Sequence, residues 1–305
     1  MKKFSKVIVW GYPLNTHTHS FIHYCFTKTF KHLGYETHWF DDSSDVSGMN
    51  FDGALFITAS DQEKNIPIIK GAHYVLHNVD SRRYHEAGCK LLFIQTIAKD
   101  IVGQDKLKVY SRHTMLKYFD DVNCLYMPWA TDLLPHEIDL NTATNQTTDK
   151  RCVWIGTYGG DDSEYQNHTE VKPFFDACEK NGIKIHRIDP WAKPVTFEEN
   201  KELVRNSYLS PALQGIWQVK NEYIPCRIFK NISYGHLGIT NSPIVNEIFD
   251  NQLIFSRDTD ALFYQSVEEK NKPDCVEKIK FLMNEVKEKH TYINRIETIL
   301  ECLPD

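Results

Sequence analysis

The sequence predicts an α/β protein made of two halves, each a parallel β-sheet flanked by helices. Three observations predict it. Short β-branched runs alternate with apolar stripes at helical spacing, the pattern of strand–helix–strand units. A polar stretch, DLNTATNQTTDK at 139–150, interrupts that alternation near the middle of the chain, after which it restarts. The chain is 305 residues long, the length of about two domains.

In the first half, residues 6–10 form a β-branched run ending at Gly11-Tyr12-Pro13. Phe21, Ile22, Cys25, Phe26, Phe30 and Leu33 then recur at helical spacing, and Gly34 supplies the stop. Residues 35–40 and 54–58 read as strands. The second of these is apolar at consecutive positions, as a strand covered on both faces should be. Residues 73–76 and 91–94 continue the series. After the polar stretch, 152–156 is a strand followed by the loop Thr157-Tyr158-Gly159-Gly160. Val171, Phe174, Phe175 and Cys178 give a helix closed by Gly182, and 183–188 alternates as a strand. A polar helix at 198–206, a strand at 209–213, a short helix at 225–234 and a strand at 237–240 follow. Apolar spacing is helical from Val276 to Leu300. The architecture expected is two Rossmann-like domains with parallel sheets facing a central cleft. Residues 1–138 form the first domain, 139–150 the linker, 151–272 the second domain, and 273–305 a helical segment. In open α/β sheets, ligands bind beyond the carboxyl ends of the strands.

Composition narrows the function. Hydrophobic residues make up 41% of the chain and charged residues 25%, an ordinary globular balance that argues against disorder. The net charge of −6 argues against a nucleic-acid partner, which would need a basic face. No apolar run reaches the ~18–20 residues of a membrane span. The eight cysteines are scattered, with no C-x-x-C pair, so reduced thiols and a cytoplasmic setting are expected.

The most informative segment is NEYIPCRIFKNISYGHLGITN at 221–241. Pro225 suits the first position of a helix, and Arg227 then falls in its first turn. A cation there opposes the helix dipole. A docked anion reverses the sign, because amides and guanidinium would both point at it, and a diphosphate fits. A strand, a proline-opened helix I-P-x-R-x-F with a later glycine, and an apolar strand ending in a polar turn together resemble the donor-binding half of GT-B glycosyltransferases. The resemblance is strongest to the spore-maturation glycosyltransferase-like group. Pro225, Arg227, Phe229 and Gly235 match its pattern, whereas Lys230 stands where a glutamate is common, eight positions after Glu222. Trp154-Ile155-Gly156-Thr157 resembles the first strand and glycine loop of such a donor domain. Met127-Pro128-Trp129-Ala130-Thr131-Asp132 is similar to the segment that closes the first domain. The resemblance covers 151–255; over the first half it is architectural.

The resemblance implies a metal-independent glycosyltransferase without a cofactor, using a UDP-, GDP- or dTDP-linked sugar as co-substrate and a glycan or small hydroxyl acceptor. Donor contacts would come from Gly156, Thr157, Tyr158, Glu222, Tyr223, Ile224, Pro225 and Arg227. The final helical segment would cross back onto the first domain. In the loop NTHTHSFIH at 15–23, His17 or His19 would be the general base, a role that needs a group titrating near neutrality, with Asp61 or Asp80 orienting it.

Two rival readings remain. H-x-H near a first strand resembles the metal-binding opening of amidohydrolase-type barrels, and a (β/α)₈ barrel suits this length. A degenerate GT-B domain that binds without transferring is the other. Asp258-Thr259-Asp260 reads as a helix cap rather than a metal-binding D-x-D. Arg82-Arg83 reads as a solvated helix face, while Arg205 and Lys220 are within the residue types that could reach a diphosphate.

Overall fold

The structure is a computed structural model. It describes residues 4–59, 62–97, 107–109 (backbone), 116–147, 149–158, 167–190 and 192–305. The chain forms two compact units: unit 1 comprises Met1–Met127 and Tyr292–Asp305, and unit 2 comprises Pro128–Thr291.

Unit 1 is built on an eight-stranded sheet. Its strands are β1 (Lys6–Trp10), β2 (Glu36–Phe40), β3 (Ala54–Ala59), β4 (His73–His77), β5 (Lys90–Gln95), β6 (Leu107–Val109), β7 (Lys117–Phe119) and β8 (Cys124–Tyr126), in the order β2-β1-β3-β4-β5-β8-β7-β6. The first six in that order run parallel, and β7 and β6 close the edge as an antiparallel hairpin. Val7, Ile8, Val9 and Trp10 have no exposed surface, because β1 is covered on both faces. Helix α1 (Ser20–His32) carries the chain from β1 to β2. It ends where Gly34, at φ +77°, donates to Lys31 O and Tyr35 donates to Phe30 O, the bond pair of a Schellman stop that needs a left-handed residue. Helix α2 (Arg82–Glu86) follows β4. The last helix, α10 (Tyr292–Cys302), packs on α1, with Tyr292 edge-on to Phe26 at 5.2 Å. Among the described residues the sheet has free edges at β2 and β6. It is therefore not a closed (β/α)₈ barrel, and the amidohydrolase-type reading loses its scaffold.

Unit 2 repeats the theme. Its elements are β9 (Arg151–Ile155), α3 (Asn167–Lys180), β10 (Lys184–Ile188), α4 (Phe197–Arg205), α5 (Ile216–Lys220), α6 (Cys226–Ser233), β11 (Ile239–Thr240), α7 (Pro243–Glu247), β12 (Ile254–Phe255), α8 (Thr259–Lys270) and α9 (Cys275–Lys289). β10 pairs with β9 in parallel, as does β12 with β11. The extended segment 207–213 joins the two pairs: Val153 donates to Leu209 O and Ala212 to Ile239 O, both at 2.9 Å. It makes isolated parallel bridges and no full ladder, because Pro211 has no N–H to contribute. The resulting order is β10-β9-(207–213)-β11-β12, the second-first-third-fourth-fifth arrangement of a doubly wound sheet.

Three expectations change. The helical run from Val276 is two helices, α9 and α10, broken at His290-Thr291. Helix α8 starts at the cap expected at Asp258, but its body shows no clear apolar stripe, since its buried face includes Thr259, Ser266 and Lys270 beside Leu262 and Phe263. Within 139–150, residues Leu140–Thr142 form a 3₁₀ turn in unit 2. Gly235, at φ +95°, lies against it, and a Cβ there would stand 2.8 Å from Thr142 O.

Candidate functional site

The strand order of unit 2 reverses between β9 and 207–213, and such a switch point opens a crevice at the carboxyl ends of the two strands. Arg227 occupies it. Pro225 has extended backbone (φ −74°, ψ 136°) and is the N-cap of α6, one position before the first helical residue expected for it. Arg227 is therefore the second residue of the helix. Its Cζ lies 4.7 Å from the centre of the Trp154 ring, and its Nη1 donates to Leu213 O at 3.0 Å. Its Nη2 fills the space beside Gly156, where a Cβ would stand 2.5 Å from it. Strand end, glycine and helix start thus meet at one guanidinium. Burial pulls Arg227 down to about 10, with Cys226 and Tyr223 opposing. No carboxylate pairs with it among the described residues. A desolvated cation beside helix amides that lack intrahelical acceptors is a site for an anion.

The other expected donor residues fall around it unevenly. Thr157 O accepts from Asn167 Nδ2 at 2.6 Å, pinning the start of α3 to the end of β9. The Tyr158 ring stands edge-on to Trp154 at 6.4 Å, with the Arg187 guanidinium 4.5 Å over it. Gly159 and Gly160 lie outside the described residues. Tyr223 O accepts from Gln214 Nε2 at 2.7 Å, and Ile224 and Pro225 are buried. Glu222 is exposed, in a left-handed turn at φ +56°. Lys230 Nζ lies 5.5 Å over the Phe197 ring. Arg205 donates its Nε to Tyr234 O at 3.1 Å, so it serves the end of α6. Asp258 caps α8, accepting from Asp260 and Ala261 at 3.0 and 3.1 Å.

Sequence reasoning missed a polar network that continues along the same edge. Gln214 donates its amide to Asn241 Oδ1, and Asn241 Nδ2 donates back to Gln214 O, each at 2.9 Å. Asn241 Nδ2 also donates to Glu170 Oε2 at 3.2 Å. Arg257 bonds Asn241 O at 2.7 Å and pairs with Glu170 Oε2 at 2.9 Å. The signal available was only the polar turn Asn241-Ser242 ending an apolar strand.

In unit 1 the histidine loop follows β1 and leads into α1. His17 stacks on Tyr12 with ring centres 4.0 Å apart, His19 stands edge-on to His17 at 5.1 Å, and His77 lies 6.1 Å from His19. His17 Nδ1 accepts the His19 amide at 3.1 Å. His23 donates Nε2–H to Ala59 O at 3.0 Å, and a Cβ on Gly11 would overlap its ring. Burial, then the charges of His19 and His17, lower His23 to about 3 against backbone bonds to Ala59 and Tyr12. Asp80 is exposed and accepts the Arg82 amide at 3.0 Å, opening α2. Asp61 lies outside the described residues. Arg82 is exposed as expected, but Arg83 pairs with Glu63 and donates to Lys64 O at 2.9 Å. Among the described residues, no three His, Cys, Asp or Glu side chains converge as a metal site, and no helix is long and apolar enough to cross a membrane.

A mainly parallel sheet in the first unit and a doubly wound arrangement in the second are the fold class of GT-B proteins. No protein-family profile matches the sequence, and no curated protein does. Among solved structures, the fold is similar to an alpha-glucosyltransferase in complex with UDP and a 13-mer DNA containing a HMU base. That likeness has 12% identity and a TM-score of 0.52, and covers 97% of this chain and 98% of the other. An alpha-glucosyltransferase in complex with UDP is also similar, at 11% identity and a TM-score of 0.49, covering 97% and 98%.

The expectation of no nucleic-acid partner is corrected by the first of these, since a protein of this fold holds DNA beside UDP. Net charge does not decide the question, because it averages over the chain. Basic and acidic residues balance in unit 1, and the whole acidic excess lies in unit 2.

Proposed function

We propose that this chain is a glycosyltransferase in which Arg227 of unit 2 holds the diphosphate of a UDP-, GDP- or dTDP-linked sugar and the glycosyl group passes to a hydroxyl acceptor. One observation carries the reading: a half-buried guanidinium, without a carboxylate partner among the described residues, at the switch point of a doubly wound sheet. In the transfer, the bond from the anomeric carbon to the diphosphate oxygen breaks and a bond to the acceptor oxygen forms. The charge released on the diphosphate falls to Arg227 and the first amides of α6, a preorganised arrangement that needs no metal or organic cofactor.

The acceptor proton goes to a base, for which His19 is the better of the two histidines proposed. His17 accepts the His19 amide at Nδ1, which places the proton of its neutral ring on Nε2 and leaves that nitrogen a donor. Lys230 in place of the common glutamate favours a second reading, binding without transfer.

The test is calorimetry with UDP, GDP and dTDP in EDTA, followed by turnover of the matching nucleotide-sugars. The acceptor panel should include glycans, small alcohols and DNA carrying a hydroxymethylated base. Binding with turnover supports the enzyme, binding alone supports the module, and no diphosphate binding refutes both.

A further inference from the structure

Arg227 is held in place without being neutralised. Arg83 and Arg257 are each paired with a carboxylate, Glu63 and Glu170. Arg227 has no such partner among the described residues, and its contacts are all uncharged: the Trp154 ring at 4.7 Å, the Leu213 carbonyl at 3.0 Å and the gap beside Gly156. An aromatic face attracts a cation through the ring quadrupole and carries no net charge of its own. The ring thus offsets part of the cost of taking the guanidinium out of water and leaves its charge for a ligand.

The ring is itself fixed. Trp154 lies in β9 and is 1% exposed. Phe175 and Tyr158 stand edge-on to it at 6.2 and 6.4 Å, and a Cβ at residue 156 would stand 3.0 Å from its Cη2. Its Nε1 is buried without a hydrogen bond among the described residues, although a buried indole N–H usually finds a partner. Packing alone therefore sets the ring, and what it presents to Arg227 is its face. A free arginine side chain samples many rotamers, whereas a stacked one has little left to lose when an anion docks.

We propose that Trp154 is the positioning residue of the diphosphate site, its ring face holding Arg227 in the orientation that grips the anion. This rests on the donor reading above and names the group that makes Arg227 a preformed contact.

The experiment is calorimetry with pyrophosphate and UDP on the full chain, on Trp154→Phe, Trp154→Leu and Arg227→Ala, and on the two double variants, with tryptophan emission recorded alongside. Trp154→Leu should bind pyrophosphate roughly threefold to thirtyfold more weakly, the range spanned by exposed and desolvated cation–π contacts. Trp154→Phe keeps a ring with a weaker face and should fall between it and the unaltered protein. In the Arg227→Ala background neither substitution should cost anything further, because the effect passes through Arg227; a merely structural role would persist there. Pyrophosphate should also change the tryptophan emission of the unaltered protein, and that change should be missing from saturated Trp154→Phe. Should Trp154→Leu fail to fold, the Trp154→Phe affinity, its double variant and its emission decide. A Trp154→Leu protein with an ordinary urea transition and unaltered affinity, an equal cost with and without Arg227, or an emission change retained in Trp154→Phe overturns the assignment while leaving the anion site standing. An unaltered protein that binds neither pyrophosphate nor UDP overturns both.

Discussion

Gly156 and Arg227 are one feature seen from two strands of argument. The guanidinium lies where any β-carbon at 156 would be, so the glycine is required by space rather than by backbone angle. Arg227→Ala should weaken nucleoside diphosphate binding by ~1.5–3 kcal/mol, the scale of a charged hydrogen bond, as read by calorimetry; unchanged affinity removes Arg227 from the site. Gly156→Ala should mimic that loss by displacing the guanidinium, and overpacking should lower stability by ~1–3 kcal/mol in urea. A variant that binds normally would show that the guanidinium can shift at no functional cost. Arg227 was legible in the sequence because a cation in a first helical turn has the wrong sign for the dipole. Its partners Trp154 and Leu213 were not legible as partners, since nothing local pairs residues on different strands. Glu222 was expected at the donor site only from the family resemblance, and its left-handed turn leaves it exposed.

At the scale of elements, capping chemistry was readable and packing partners were not. Asp258 is the N-cap of α8 through two backbone bonds. Asp258→Ala should cost ~0.5–2 kcal/mol of unfolding free energy and leave diphosphate affinity unchanged with or without manganese. A loss of affinity restored by manganese would revive the D-x-D reading. Helix α6 is anchored at its far end by Tyr234, whose hydroxyl bonds both oxygens of Asp132 at 2.7 and 2.8 Å, and by the Thr131–Ser233 hydroxyl pair at 2.7 Å. These contacts hold the helix that presents Arg227. They join 131–132 to 233–234, which no periodicity connects. Segment 207–213 was read as a strand and is one in position, although its proline keeps it from a full ladder.

For the whole molecule, acid shifts the balance between folded and unfolded chain through its buried histidines. Burial lowers His23 to about 3 and His236 to about 4, and lowers His77 as well. Each stays neutral in the fold and takes a proton in the unfolded chain below about 6.5. The unfolded state therefore binds more protons in that window, and stability is complete above pH 6.5 and falls as pH drops toward 4 and then 3. Urea midpoints at pH 7.5, 6 and 5 should decline in that order, and His23→Leu should flatten the slope. A profile level from 7.5 to 5 would contradict the burial of these rings.

By itself the sequence determined the two α/β halves, the strand and helix types, and the arginine in the first turn of α6, because periodicity, turn residues and helix-end electrostatics are local. Tertiary structure alone decided that Arg227 stands over Trp154 at the switch point and that His23 sits in the hollow of Gly11. Those facts depend on which strand ends lie side by side, and side-by-side placement is set by long-range packing that no stretch of the chain encodes alone.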